Sequence, residues 1–302
     1  MRLQRYLAAL MSGFLFSTIS AISATSTHAA DQNQRNSTPQ RIITVAPHLS
    51  EIVEAVGGAE RLVSVSAYSN YPPLVKKLPV TSDARSIDLE RMKQLRPDLI
   101  IYWRSGTPET QIESIKKTFG DKSSQDGRLV KVISVEPKKL VDIAQDIETV
   151  GKALGTEKIA QKNAQLLRTE IKKLKDQYQN SQKRKVRVFY QVWAQPLMTL
   201  NQDHLIADII QICGGEQLFA KEKLLVPTVS KEAVVNANPE IIFTAVDSPE
   251  FKTDWSMWSS IPQLAASQKK AFVDIDGDMI SRPSPRIMQG AQKICQAIDR
   301  VR

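Results

Sequence analysis

Short apolar runs alternate with amphipathic segments along most of the chain. The runs 41–46, 62–66, 99–103, 130–135, 186–193 and 241–245 are rich in Val, Ile and Leu and are bounded by Gly, Pro or polar residues, which predicts strands. Between them, 49–56, 87–95, 109–119, 137–154 and 205–213 space their apolar residues as helices do. The stretches 255–265, 271–275 and 287–301 complete the second half. Strands alternating with helices predict parallel βαβ units and an α/β fold. One segment breaks the rhythm. Gly155 stops a helix, Thr156 is placed to cap the next, and 157–179 runs without Pro or Gly. About 23 residues at 1.5 Å each predict a rod of roughly 35 Å.

The pattern also repeats itself. DLERMKQLRPDLII at 88–101 is echoed by SKEAVVNANPEIIF at 230–243, at a constant offset of 142 residues. Each copy reads as a helix N-cap (Asp88, Ser230), a first-turn glutamate (Glu90, Glu232), a short helix, then Pro-acid-apolar-apolar opening a strand. A second echo pairs AVGGAERL with ICGGEQLF. The repeat predicts two similar lobes, 41–155 and 185–302, joined by the helix at 156–181. One long helix between lobes is a stiffer connector than a pair of extended strands.

The ends and the charge narrow the setting. Arg2 and Arg5 precede an apolar stretch at 7–22, and THAA at 27–30 supplies small residues for cleavage near Ala29 or Ala30. That is the layout of a secretory signal peptide, interrupted by too many polar residues for a bilayer span. It predicts that the mature chain is exported, and the family resemblance described below implies the periplasm. Residues 31–40 are polar and read as a disordered lead-in. The formal charge of +9 falls to +7 when Arg2 and Arg5 leave, and the excess gathers at 172–185. A basic run on a helix end reads as a solvated face, not a nucleic-acid site. The two cysteines, Cys213 and Cys295, are compatible with one disulfide or with two buried thiols. With His28 in the signal segment, only His48 and His204 remain, too few for a convincing metal site. No Gly-x-Ser-x-Gly elbow or HExxH motif is present, so the residues argue against an exported hydrolase and for no enzyme activity.

The blocks RIITVAPHLSEIVEAVGG, VSAYSNYPP, DLERMKQLRPDLIIYWRSG, ICGGEQLF, VSKEAVVNANPEIIF and SRPSPRIMQGAQKIC follow one another across 41–302. In that order the chain resembles the periplasmic substrate-binding proteins whose lobes are joined by one helix. Within them it is most similar to the cobalamin (vitamin B12) receptors of ATP-driven uptake transporters. The resemblance implies two Rossmann-like lobes with a ligand cleft between them and a disulfide between Cys213 and Cys295. It implies a monomer that carries cobalamin or a related corrinoid as transported ligand, with no cofactor of its own. It also implies docking of Glu90 and Glu232 on basic residues of a dimeric membrane permease, one lobe per subunit.

The same resemblance carries Tyr68, Trp103, Asp278 and Arg282 over as ligand contacts. Trp193 lies one position after a ligand-contacting aromatic of the family, where this chain has Val192. Arg286 reads as a structural partner, and Trp255 with Trp258 as one packed helix face. His48 reads as a loop histidine, with coordination of a ligand metal as the alternative. The chain departs from the family twice. Ser82 to Ser86 lacks the tryptophan found before the first repeat helix, and a second tryptophan is replaced near Val226. An alternative ligand of the same fold is a ferric siderophore or haem, for which a cleft made basic by Arg85, Arg104 and Arg282 would suit anionic groups.

Overall fold

The computed structural model describes residues 38–120, 130–179, 182–248 and 250–302. The expected signal segment and most of the lead-in lie outside them. The end of that lead-in is pinned: Gln40 N–H donates to the Asp98 carboxylate at 2.8 Å, and Arg61 donates to the Pro39 carbonyl at 3.3 Å.

The first half builds a parallel sheet from β1 (Ile42–Thr44), β2 (Leu62–Ser66), β3 (Val80–Ser82), β4 (Leu99–Trp103) and β5 (Lys131–Val135), ordered β3-β2-β1-β4-β5. Helices α1 (Pro47–Ala55), α2 (Leu89–Gln94), α3 (Glu109–Phe119) and α4 (Asp142–Leu154) belong to it. Helix α5 (Glu157–Tyr178) then leads into the second half. There β6 (Val186–Gln191) is followed by a hairpin of β7 (Trp193–Ala194) and β8 (Leu197–Met198), and then by β9 (Gly215–Gln217), β10 (Ile241–Val246) and β11 (Phe272–Asp276). The second sheet is parallel in the order β11-β10-β6-β9. Its helices are α6 (Leu205–Ile212), α7 (Lys231–Ala237), α8 (Ser256–Ser259), α9 (Ala265–Gln268), α10 (Gly277–Ile280) and α11 (Ile287–Val301).

In each sheet the first strand in sequence, β1 or β6, has later strands on both sides. The chain therefore reverses its winding at that strand, and a crevice opens at its C-terminal end. This is the two-lobed α/β architecture predicted from the alternation and the repeat.

The repeat is realised atom by atom. Asp88 accepts from the Arg91 N–H at 2.8 Å, and the Ser230 hydroxyl accepts from the Ala233 N–H at 3.1 Å. Both helices end in a left-handed residue before the proline, Arg96 at φ 46° and Asn238 at φ 47°. Asn tolerates that conformation better than Arg. The acid after each proline then reaches the first strand of its sheet. Asp98 accepts from the N–H groups of Gln40 and Arg41, at 2.8 and 2.9 Å, and Glu240 accepts from that of Arg187 at 3.2 Å. The Pro-acid pair thus pins the entry of β1 and of β6 to the strand that follows it.

Helix α5 buries Ala160, Ala164, Leu167, Ile171, Leu174 and Tyr178, one stripe that packs on both α4 and α11. Gly151 permits the closest approach, since a Cβ there would stand 2.1 Å from that of Ala160. Arg168 grips Glu148 bidentately at 2.6 and 2.8 Å, and Gln292 donates to the Tyr178 hydroxyl at 3.1 Å. The connecting helix is thus bonded to both halves. Cys213 and Cys295 form a disulfide that ties the end of α6 to α11.

Local details differ from the sequence expectation. Helix α1 starts at Pro47, not at 49, because proline's fixed φ suits the first helical position, and His48 is therefore a helix residue and not a loop histidine. Helix α4 starts at Asp142, not at 137, because the Asp142 carboxylate holds the N–H groups of Lys138 and Lys139 in a preceding loop. Thr156 does not cap α5 with its side chain; its hydroxyl turns back to the Gly151 carbonyl at 3.5 Å. The three-residue strands β3 and β9 and the two-residue arms of the hairpin are too short to carry a period.

Candidate functional site

The C-terminal ends of the two sheets face a cavity of about 1060 Å³. The first lobe contributes Trp103, the last residue of β4, and the loop 136–139 after β5. The second contributes Tyr190 and Val192 at the end of β6, then Leu225, Val226 and Pro283 among others. Small-molecule sites usually enclose about 300–1,000 Å³, so this cleft is sized for a large ligand. Its charges nearly cancel. Lys138 and Lys139 stand against Glu136, Asp203 and Asp208. His204 also lines it, caps α6 by accepting from the Ile206 N–H at 3.1 Å, and is kept neutral by burial, which lowers its pKa to about 4. None of Arg85, Arg104 and Arg282 lines this cavity.

Trp103 is firmly placed. Its ring lies so close over Gly106 that a Cβ there would meet ring atoms at 1.9 to 2.4 Å. The His48 ring meets it edge-on at 5.1 Å. Burial, followed by the Arg282 charge, lowers the His48 pKa to about 3, so the imidazole is neutral. His48 does not line the cavity; it is buried in the first turn of α1 and supports the wall from the protein side.

The lobes are clasped beside the cavity. Glu51 of α1, with its side chain 1% exposed, accepts from the guanidiniums of Arg282 at 3.3 Å and Arg286 at 3.1 Å, and from the Ser284 hydroxyl at 2.6 Å. Burial raises the pKa of Glu51, and these three partners oppose the rise. Arg282 also donates to Asn70 at 2.6 Å, to the Tyr68 carbonyl at 2.8 Å and to Asp278 at 2.6 Å. Asn70 in turn donates to Asp278 at 2.6 Å. Arg286 stacks over the Tyr71 ring at 4.6 Å. A further bond joins the lobes where the Leu140 N–H donates to Asp208 at 2.9 Å.

Of the residues carried over as ligand contacts, Trp103 alone lines the cavity. Asp278 and Arg282 sit in the interlobe clasp, where protein partners already engage both nitrogens of the arginine's fork. Tyr68 is 84% exposed and held at φ 65°, an unusual backbone for a tyrosine. Trp193 is 62% exposed on the hairpin and donates to the Gln195 carbonyl at 2.8 Å, while its neighbour Val192 lines the cavity. Trp258 is buried and donates to Gln191 at 2.8 Å, and Trp255 stacks on Phe272 at 5.4 Å, so both pack within the second lobe. Glu51, Asn70, Ser284 and Tyr190 did not emerge from the sequence. Only Tyr190 left a trace there, as one residue of the apolar run 186–193.

A family model described as a periplasmic binding protein matches residues 42–274. The chain belongs to the periplasmic binding protein family. Among relatives, it is 32% identical over 257 residues to the vitamin B12-binding protein of Vibrio vulnificus, covering 85% of this chain and 89% of that protein. In three dimensions it is similar to the periplasmic vitamin B12-binding protein of Vibrio cholerae. There the TM-score is 0.76 at 30% identity, over 87% of this chain and 98% of that one. A periplasmic haem-binding protein of Vibrio cholerae shares the fold at a TM-score of 0.71 and 20% identity, over 85% of this chain and 98% of that one. Membership of the family agrees with the two-lobed fold and with a periplasmic place of work.

Proposed function

We propose that this protein captures cobalamin, or a closely related corrinoid, in the cleft between its lobes and hands it to an ABC-transporter permease. The observation that carries the reading is the cavity itself: large, walled by Trp103 and Tyr190, and nearly balanced in charge. A corrinoid is a broad, mostly apolar ring with amide arms, and it calls for aromatic walls and little net charge. Anionic siderophores and haem propionates call for a surplus of Arg or Lys, and the two cavity lysines face three carboxylates. The vitamin B12-binding relatives support the same ligand. The protein performs no chemistry of its own. It works as an exported monomer after cleavage near Ala29 or Ala30.

For the permease, Glu90 and Glu232 present carboxylates at matching places in the two lobes. Glu90 is 79% exposed and pairs with Lys93 of its own helix at 2.8 Å. Its own backbone N–H, then the Ser230 side chain, hold the exposed Glu232 below the usual carboxylate range. Ionised carboxylates of this kind suit bidentate pairing with arginine.

Calorimetry of the mature protein with cyanocobalamin, haem and a set of ferric siderophores tests the ligand. Heat with cyanocobalamin alone is the expected result. Silence with cyanocobalamin at tens of micromolar, together with binding of haem or a siderophore, would transfer the site to those ligands.

A further inference from the structure

Tyr190 combines three properties that the fold does not explain. It is the last residue of β6 on the face of Val186 and Val188, and the winding of the second sheet reverses at this strand. It lines the cavity while being only 2% exposed. Its hydroxyl has no hydrogen-bond partner among the described residues. Leu200, Leu205, Ile206 and Ile280 line the same cavity and belong with it to one hydrophobic cluster, so the hydroxyl sits in apolar surroundings.

Leaving a buried hydroxyl unpaired is costly, and phenylalanine would fill the same space without that cost. The ring is therefore accounted for by packing and the oxygen is not. Among the described residues lining the cavity, the Tyr190 hydroxyl and the Trp103 indole N–H are the two buried side-chain polar groups without a partner, one in each lobe. Asp208 is bonded to Leu140, Glu136 accepts from the Ser105 N–H at 2.8 Å, and the His204 ring caps α6. Burial raises the phenol pKa above its ordinary value, so the group keeps its proton and can donate.

We propose that the Tyr190 hydroxyl is a ligand-recognition group of the second lobe, donating a hydrogen bond to a neutral acceptor of the amide-carbonyl class on the bound molecule. This rests on the corrinoid reading, in which amide arms supply such acceptors around the ring. A neutral donor in apolar surroundings favours an amide oxygen over a carboxylate, which would bring an uncompensated charge into the same place. Tyr190 thus acts as a specificity-determining residue that ranks amide-bearing ligands above ligands lacking the acceptor.

Tyr190→Phe removes the oxygen and keeps the ring. Thermal melting without ligand and calorimetry with cyanocobalamin are measured on the full mature wild type and the variant. The expected result is an unchanged or higher melting temperature with about a three- to tenfold loss of affinity, the span of one hydrogen bond. Equal affinity in variant and wild type overturns the inference and leaves the corrinoid reading standing. A lowered melting temperature assigns the hydroxyl to the fold and overturns the inference whatever the affinity. Failure of the wild type itself to bind cyanocobalamin overturns the corrinoid reading, and this inference with it.

Discussion

Glu51 and Arg282 are separated by 231 residues in sequence and by 3.3 Å in space. The contact joins α1 of the first lobe to the segment between α10 and α11 of the second. It is the centre of a clasp that includes Asn70, Asp278, Ser284 and Arg286. Together with α5 and the Leu140–Asp208 bond, it ties the lobes to each other.

Removing the carboxylate should loosen that tie. Breaking a buried ion pair typically costs 3–5 kcal/mol because the remaining charge is stranded. Arg282 keeps Asp278 and Arg286 keeps the Tyr71 ring, so Glu51→Ala is expected near the bottom of that range, at about 3 kcal/mol. Urea denaturation of wild type and variant measures it. A loss below about 1 kcal/mol, the scale of an exposed pair, would show that the clasp adds nothing beyond surface charge.

His48 predicts an acid-sensitive stability. Its pKa is 6.5 in the unfolded chain and about 3 in the fold, so below pH 6.5 the unfolded chain takes up a proton that the folded protein refuses. Stability therefore falls as pH drops through this window. Between pH 7 and 4.5 the loss from His48 amounts to about 3 kcal/mol. His204 acts in the same direction, whereas Asp146, raised to about 7 chiefly by burial, acts in the opposite one. The comparison that isolates His48 is His48→Phe, which keeps an aromatic edge on Trp103. Its denaturation free energy should fall less steeply with acid than that of the wild type, and parallel curves would refute the assignment.

Gly106 predicts the importance of the Trp103 wall. A methyl group at 106 would overlap the indole, which must turn away from its present face. An aromatic contact of this kind is worth about 0.5–1.5 kcal/mol beyond its area, so Gly106→Ala should weaken ligand binding roughly two- to tenfold. The tryptophan fluorescence should shift even without ligand. An altered spectrum with full affinity would remove Trp103 from the ligand wall.

The exposed glutamates make a prediction about transport. Glu90→Ala combined with Glu232→Ala should abolish uptake in cells while leaving calorimetric affinity and melting temperature unchanged. The capping bonds of Asp88 and Ser230 run to the Arg91 and Ala233 N–H groups, and the glutamates add only exposed contacts, to Lys93 and to the Ser230 side chain, so the fold does not depend on them. A double variant that loses ligand affinity would contradict the docking role.

The sequence by itself determined the architecture. Apolar strands alternating with amphipathic helices, the echo of 88–101 at 230–243, and an uninterrupted helix between them dictate two similar lobes on a rod. These signals are local and periodic, and burial of one face enforces them wherever the segment ends up. Trp103 came from the family resemblance, and its place at the end of β4, beside the winding reversal, sets it at the cavity.

Tertiary structure alone decided which polar residues face the cavity and which face each other. Glu51 and Glu54 both lie on α1, yet only Glu51 meets two arginines from the far lobe. The family resemblance carries Arg282 and Asp278 over as ligand contacts, and the approach of the lobes gives both of them protein partners as well. Tyr190 looks like one more core residue until the cavity opens beside it. Side-chain partners separated by more than 200 residues leave no periodic trace, because their pairing is set by the docking of two lobes and not by the helix or strand that carries them.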